Sequence, residues 1–251
     1  MHPIASFAFA TAVALSGSAL AKDWTTVRIG TEGAYPPFNY VDSNDELQGF
    51  DVEIARALCA EMAVECTYVA QDWDGIIPAL LAGKYDAIVA SMSITDERKE
   101  VIDFTDRYYT NSLNFVAATD SGITDVSPEG LAGKTLGAQS STVSAKFLEE
   151  AYADADIRLY PTQDEANLDL ANGRLDALLA DVAPLGAWLA SDAGTCCAFV
   201  GEAVVNDDII GIGIRKEDQD LKEKINTALA AILANGVYEE ISNRYFSASI
   251  Y

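Results

Sequence analysis

The 251-residue sequence contains one histidine, His2, and it sits in a leading segment expected to be removed. A mature chain without histidine has no Ser–His or Cys–His nucleophile pair, no imidazole metal site and no histidine general base. Basic residues are scarce as well: 16 Lys and Arg stand against 39 Asp and Glu, a formal net charge of −23. Such a field repels nucleic acid and anionic lipid and favours cationic small molecules, while much of it serves as a solvated surface. Only four cysteines are present, Cys59, Cys66, Cys196 and Cys197; with Cys59 and Cys66 paired, no other Cys or His is left to complete a metal site at Cys196 and Cys197, so that is the least expected reading of the pair. No apolar run after Leu15 approaches the roughly 20 residues needed to cross a bilayer. Gly211 and Gly213 do not form a phosphate loop, because no further Gly or Lys-Ser/Thr follows at the required spacing. No metal or cofactor is therefore expected.

Residues 1–21 carry no Lys, Arg, Asp or Glu, run apolar from Phe7 to Leu15 and end Ala19-Leu20-Ala21. This is the pattern of a secretory signal cleaved before Lys22; an uncleaved anchor is the alternative, but the run is short for one. A periplasmic chain is expected, and a lipid anchor is not, since no Cys lies near the cleavage point. In an exported protein a disulfide between Cys59 and Cys66 is the first expectation, adding roughly 2 to 3 kcal/mol. The adjacent Cys196 and Cys197 leave three readings open: a vicinal disulfide, two thiols, or partners for another molecule.

What the sequence does contain is an internal echo. Gly83-Lys84-Tyr85-Asp86-Ala87-Ile88-Val89-Ala90-Ser91 and Gly173-Arg174-Leu175-Asp176-Ala177-Leu178-Leu179-Ala180-Asp181 lie ninety residues apart and match position by position. Each reads as a helix stopped by glycine, followed by a short strand buried on both faces. Ligands in open parallel α/β sheets sit beyond the carboxyl ends of strands, which is where Ser91 and Asp181 fall. Two similar lobes with one half-site each follow from this. In both halves the order is strand, polar loop, helix, strand, helix, strand. Leu131–Gly137 reads as the first strand of the second half, and Val101–Thr105 and Leu113–Ala117 as extended segments between lobes. Asp51 is placed as the cap of a helix that Gly49-Phe50-Asp51 opens.

At this point the pattern resembles the periplasmic polar amino acid-binding proteins of ABC importers, the lysine/arginine/ornithine- and histidine-binding type. The motifs that carry it are Ile29-Gly30-Thr31-Glu32-Gly33-Ala34-Tyr35-Pro36-Pro37-Phe38, Gly49-Phe50-Asp51, Asp74-Gly75-Ile76-Ile77-Pro78-Ala79-Leu80, Ser91-Met92-Ser93-Ile94-Thr95-Asp96-Glu97-Arg98 and Gly173-Arg174-Leu175-Asp176-Ala177. The resemblance implies an α/β, two-lobed periplasmic-binding-protein fold of type II: two Rossmann-like lobes joined by two crossover segments. Lobe one would take 22–111 and 205–251, and lobe two 112–204. It also implies a monomer that hands an amino acid to an inner-membrane ABC permease and has no nucleic-acid partner.

The chemistry of an amino acid requires an anion site, a cation site and a side-chain pocket, each supplying partners because each is desolvated. Arg98 offers a fork to the α-carboxylate, and the backbone N–H groups at Ser141 and Thr142 open a helix whose dipole favours the same anion. Asp181, with Ser91 and Ser93, suits the α-ammonium. For the side chain the resemblance points to Glu32, Tyr35, Asp51 and Trp73, two aromatic faces and two acids fit for a guanidinium. Asp51 is equally explained as a helix cap, and Arg98 as a surface charge. The departures Glu32 and Trp73 look closer to arginine-binding and opine-binding (octopine, nopaline) members; Ala90 and Val143, where the family often has Ser and Gln, remove polar contacts and disfavour ornithine and histidine relative to arginine. A dehydratase-type enzyme on the same scaffold is the other alternative; it needs a general acid where Asp181 reads as an ammonium partner.

Overall fold

The computed structural model describes residues 22–251, so the expected signal segment lies outside the described residues. The chain opens with β1 (Thr26–Thr31), a small hairpin sheet of β2 (Ala34–Tyr35), β3 (Asn39–Val41) and β4 (Leu47–Gln48), then α1 (Phe50–Glu61) and β5 (Glu65–Ala70). After a short 3-10 turn at Trp73–Gly75 come α2 (Ile76–Leu81), β6 (Ala87–Ile88) and α3 (Asp96–Lys99), then the long β7 (Asp103–Ala118). The second half repeats the alternation with β8 (Thr135–Gln139), α4 (Val143–Ala151), β9 (Asp156–Tyr160), α5 (Gln163–Ala171), β10 (Ala177–Asp181) and α6 (Val182–Leu189). A second long strand, β11 (Cys197–Ile214), returns to α7 (Gln219–Ala234) and α8 (Val237–Tyr245).

The strands run in the order β5-β1-β6-β11-β7-β10-β8-β9. On one side β1 pairs in parallel with β5 and β6, and on the other β8 pairs in parallel with β9 and β10. The antiparallel pair β7 and β11 is shared by both sides. Buried side chains divide accordingly. Two apolar clusters draw on residues 24–109 and 210–241, and two on 113–197. The fold is thus mixed α/β with two lobes.

The extended segments expected between the lobes are parts of these two continuous strands, of 16 and 18 residues. Their pairing slips between Val200 and Val205 and again between Val205 and Asp208, opposite Leu113 and Asn111. Such bulges bend and twist a ladder locally, and these two lie between the cores; two more slips follow between Ile210 and Gly213. Polar Asp106, Arg107, Asn111 and Ser112 break the apolar run of β7, which is why the sequence reads as two pieces. The strand expected at Leu131–Gly137 begins only at Thr135, because Leu131–Gly133 is a turn ending in a left-handed glycine, φ 73°.

The echo is structural. Gly83 and Gly173 both have left-handed backbones (φ 72° and 67°) and end α2 and α5. Asp86 accepts from the Arg28 N–H at 3.0 Å and Asp176 from the Thr135 N–H at 2.8 Å, each at the first strand of its own lobe. The residue before each aspartate, Tyr85 or Leu175, packs where a Cβ on Gly30 or Gly137 would stand. The two sequences match because each solves the same helix-to-strand junction.

Candidate ligand-binding site

The carboxyl ends of β6 and β10 face each other across the cleft, and between them lies a cavity lined by both lobes. Its walls include Glu32, Tyr35, Trp73, Ser91, Ser93 and Arg98 from the first lobe and Thr142 and Asp181 from the second. Eight of the ten residues singled out from sequence are therefore brought together, and Asp51 and Ser141 are not among the lining residues. Ala90 and Val143 also line it, apolar where polar side chains were weighed.

Asp51 is fully buried behind the wall. It accepts from the Tyr108 hydroxyl at 2.7 Å, the Asn39 amide at 2.9 Å and the Ser91 hydroxyl at 3.0 Å. Asn39 in turn accepts from the Gly33 N–H at 2.8 Å, which ties the loop after β1 to the same anchor. Burial pushes the Asp51 carboxyl up to about 6 against these three donors. It does not cap α1: the cap position is Gly49, whose φ of 115° places a would-be Cβ against the Phe38 carbonyl. Only glycine meets that approach without strain. Asp51 orients Ser91, whose own φ of 52° is left-handed; such backbone strain in a non-glycine residue is concentrated at functional sites.

Ser141, with φ 59°, shares that conformation and turns its carbonyl toward the first lobe. The Trp73 indole donates to it at 3.2 Å and Arg98 Nη2 at 3.0 Å. Helix α4 starts at Val143, two residues after the expected Ser141, with Thr142 as its cap accepting from the Ala145 N–H at 3.1 Å. The first free helical N–H groups are therefore those of Val143 and Ser144, and both residues line the cavity.

Arg98 is placed by α3, whose cap Thr95 accepts from the Arg98 N–H, and by the Ser93 carbonyl, 2.8 Å from Nη1. Its guanidinium lies 5.4 Å from the centre of the Trp73 ring. Burial lowers its pKa, while Asp208, Glu97 and Asp181 work the other way. The acids of the cavity show the converse. Burial pushes Asp181 up to about 7, Asp208 adds repulsion, and Tyr35 and Arg98 oppose the shift. Burial likewise pushes Glu32 up to about 7 against its hydrogen bond from Gln139, with Asp164, Asp72 and Asp74 adding repulsion.

Three site residues had no counterpart in the sequence reading. Gln139, at the carboxyl end of β8, donates across the cleft to Glu32 at 2.6 Å and to the Pro161 carbonyl at 3.2 Å. Gln163 opens α5 and is held by Asn167 at 2.9 Å while lining the cavity. Asp208 lies in β11 and accepts from the Ser93 hydroxyl at 2.8 Å; burial raises its pKa, with Ser93 and Arg98 opposing. Away from the site, Cys59 and Cys66 are joined, and the sulfurs of Cys196 and Cys197 are paired with each other.

Residues 27–248 match the bacterial extracellular solute-binding proteins, family 3. The chain belongs to this family. It is 42% identical to the L-arginine-binding protein of Pseudomonas aeruginosa, covering 90% of this chain and 89% of the relative. It is 37% identical to the lysine/arginine/ornithine-binding periplasmic protein of Escherichia coli, again over 90% and 89%. A solved structure of an ancestral arginine-binding protein bound to arginine superposes with a TM-score of 0.84 at 34% identity, covering 89% of this chain and 99% of that one. In this family 3 solute-binding protein both lobes contribute walls to the cavity, and its charged lining is one guanidinium, Arg98, and two acids, Glu32 and Asp181.

Proposed function

We propose that this chain is a periplasmic receptor that captures a basic amino acid, arginine first and then lysine or ornithine, and delivers it to an inner-membrane ABC importer. One observation carries the reading: the cavity walls present a single cation, Arg98, and two buried acids, Glu32 and Asp181, each pushed up to about 7. An amino acid with a cationic side chain brings one anion and two cations, the complement of that set. Its α-carboxylate would take Arg98 and the N–H groups opening α4, and its α-ammonium Asp181 with Ser91 and Ser93. Its guanidinium would take Glu32 between Tyr35 and Trp73. The names of the similar proteins support the same ligand class and a binding role without turnover. Residues 22–111 with 205–251, and 112–204, would then move as two bodies about the bulged stretch of β7 and β11, because the ligand touches both only when the cleft is shut.

Calorimetry with arginine, lysine, ornithine, histidine, octopine, nopaline and citrulline tests it. Citrulline matches arginine in shape but has no side-chain charge, so arginine should bind at least roughly tenfold more tightly, the scale of a charge-assisted hydrogen bond. Binding of citrulline equal to that of arginine, or of none of the panel, sinks the proposal.

The acids predict a pH dependence. Their folded pKa values are raised, so the ligand-free protein holds protons at pH 5 to 7 that an unfolded chain has released. From these groups its stability is fully present below about pH 4 and lost as pH rises through about 7. A bound cation favours the charged acids and expels those protons. Affinity for arginine should therefore strengthen from pH 5 to 8, with proton release near pH 6 visible as a buffer-dependent binding enthalpy. An affinity that weakens over that range would contradict the assignment.

A further inference from the structure

The loop between β8 and α4 is held to the first lobe by a group outside the cavity. Asp74, in the 3-10 turn before α2, accepts from the Ser140 hydroxyl at 2.9 and 3.1 Å and from the Ser141 hydroxyl at 2.7 Å. None of these three residues lines the cavity, yet Gln139 and Thr142, on either side of the two serines, do. The serines thus present their hydroxyls to one carboxylate of the opposite lobe, while the Ser141 carbonyl takes Trp73 and Arg98. The left-handed backbone of Ser141 aims both groups the same way. A further polar contact across this mouth, Lys146 to Glu97 at 2.9 Å, joins two exposed side chains whose attraction salt screens.

We propose that Asp74 is a closure latch: a positioning residue that stabilises the shut cleft through Ser140 and Ser141 without touching the ligand. The proposal rests on the reading of the cleft as a ligand site. A ligand that needs the shut form binds with an apparent affinity scaled by the fraction of molecules able to shut. A contact belonging only to that form therefore changes the affinity of every ligand by one common factor. A ligand contact changes each by a different one. Because the bonds are charge–hydroxyl pairs and not an ion pair, the factor should be nearly independent of salt.

The test compares wild type with Asp74→Ala and Ser140→Ala by calorimetry against arginine, lysine and ornithine, with small-angle scattering of each protein with and without arginine. Asp74→Ala should weaken all three ligands by a common factor of roughly three- to thirtyfold. Ser140→Ala should weaken them by less, and adding it to Asp74→Ala should change little more. Saturating arginine should bring every protein to the same compact radius. Affinities within about twofold of wild type, or losses that differ about tenfold between ligands, overturn the latch. If none of the three ligands binds wild type, the site reading fails by itself. The latch is then judged by ligand-free scattering alone: a larger radius for Asp74→Ala supports it, and an unchanged radius removes it.

Discussion

Asp181→Asn is expected to bind arginine at least about a hundredfold more weakly than the parent protein while melting no lower. The carboxylate is buried at the start of α6 and faces the cavity from the second lobe. A charge-assisted bond to an ammonium contributes roughly 1.5 to 3 kcal/mol, and leaving a buried charge unpaired costs about 2 to 5 kcal/mol in a complex. The stability half of the expectation follows from Asp208. It repels Asp181 and helps burial raise its pKa to about 7, so a neutral amide above that pH removes an unfavourable charge from the ligand-free fold. Calorimetry and thermal unfolding of the same sample at pH 8 check both halves. Near-parental affinity would place the ammonium elsewhere, and a large drop in melting temperature would make Asp181 a structural residue.

Asp86→Ala should cost about 3 to 5 kcal/mol of stability, a fall of roughly 6 to 20 °C for a chain of this size, and leave arginine affinity unchanged well below the transition. Asp86 is buried and pairs with Arg28 at 2.7 Å and Arg215 at 3.0 Å. Burial alone would raise its pKa, but hydrogen bonds from Arg28 and Arg215 outweigh that and hold it at about 2. Its contribution is present above the unfolded value near 4 and fades only as pH falls through about 2. Removing it leaves the Arg215 side chain, 8% exposed, without its deepest partner. The equivalent of Asp86 in the echo is a built-in control. The Asp176 side chain is 41% exposed, and it pairs with Lys134 at 3.6 Å. Asp176→Ala should therefore cost only about 1 kcal/mol, chiefly the bond from the Thr135 N–H. Urea unfolding of the two variants side by side decides it; equal losses would show that position in the repeat matters more than burial.

That contrast shows how far sequence reaches here. Repetition revealed the junctions, because a left-handed glycine, a strand-bonding aspartate and a buried strand leave a local pattern. The same pattern located Ser91 and Asp181 at strand ends. Gln139 sits at the end of β8 as Ser91 and Asp181 sit beyond β6 and at the end of β10, so the strand-end rule could have found it. Its neighbours Ser141 and Thr142 read as a helix opening, which points to backbone N–H groups and not to the Gln139 side chain. Gln163 and Asp208 left no local signal: one is the first residue of an ordinary helix, and the other one of two adjacent acids in a long strand. Their roles come from Asn167 and Ser93, the second of these 115 residues away in the chain. Asp51, expected in the side-chain pocket or as a helix cap, neither lines the cavity nor caps α1; only coordinates show that it holds Ser91.

The most direct test of the account is a crystal structure with arginine at pH 8. The account expects the α-carboxylate on Arg98 and the first N–H groups of α4, the α-ammonium on Asp181, and the guanidinium against Glu32 between Tyr35 and Trp73. Density for arginine outside this cavity, or within it with Arg98 and Asp181 both turned away, would contradict it.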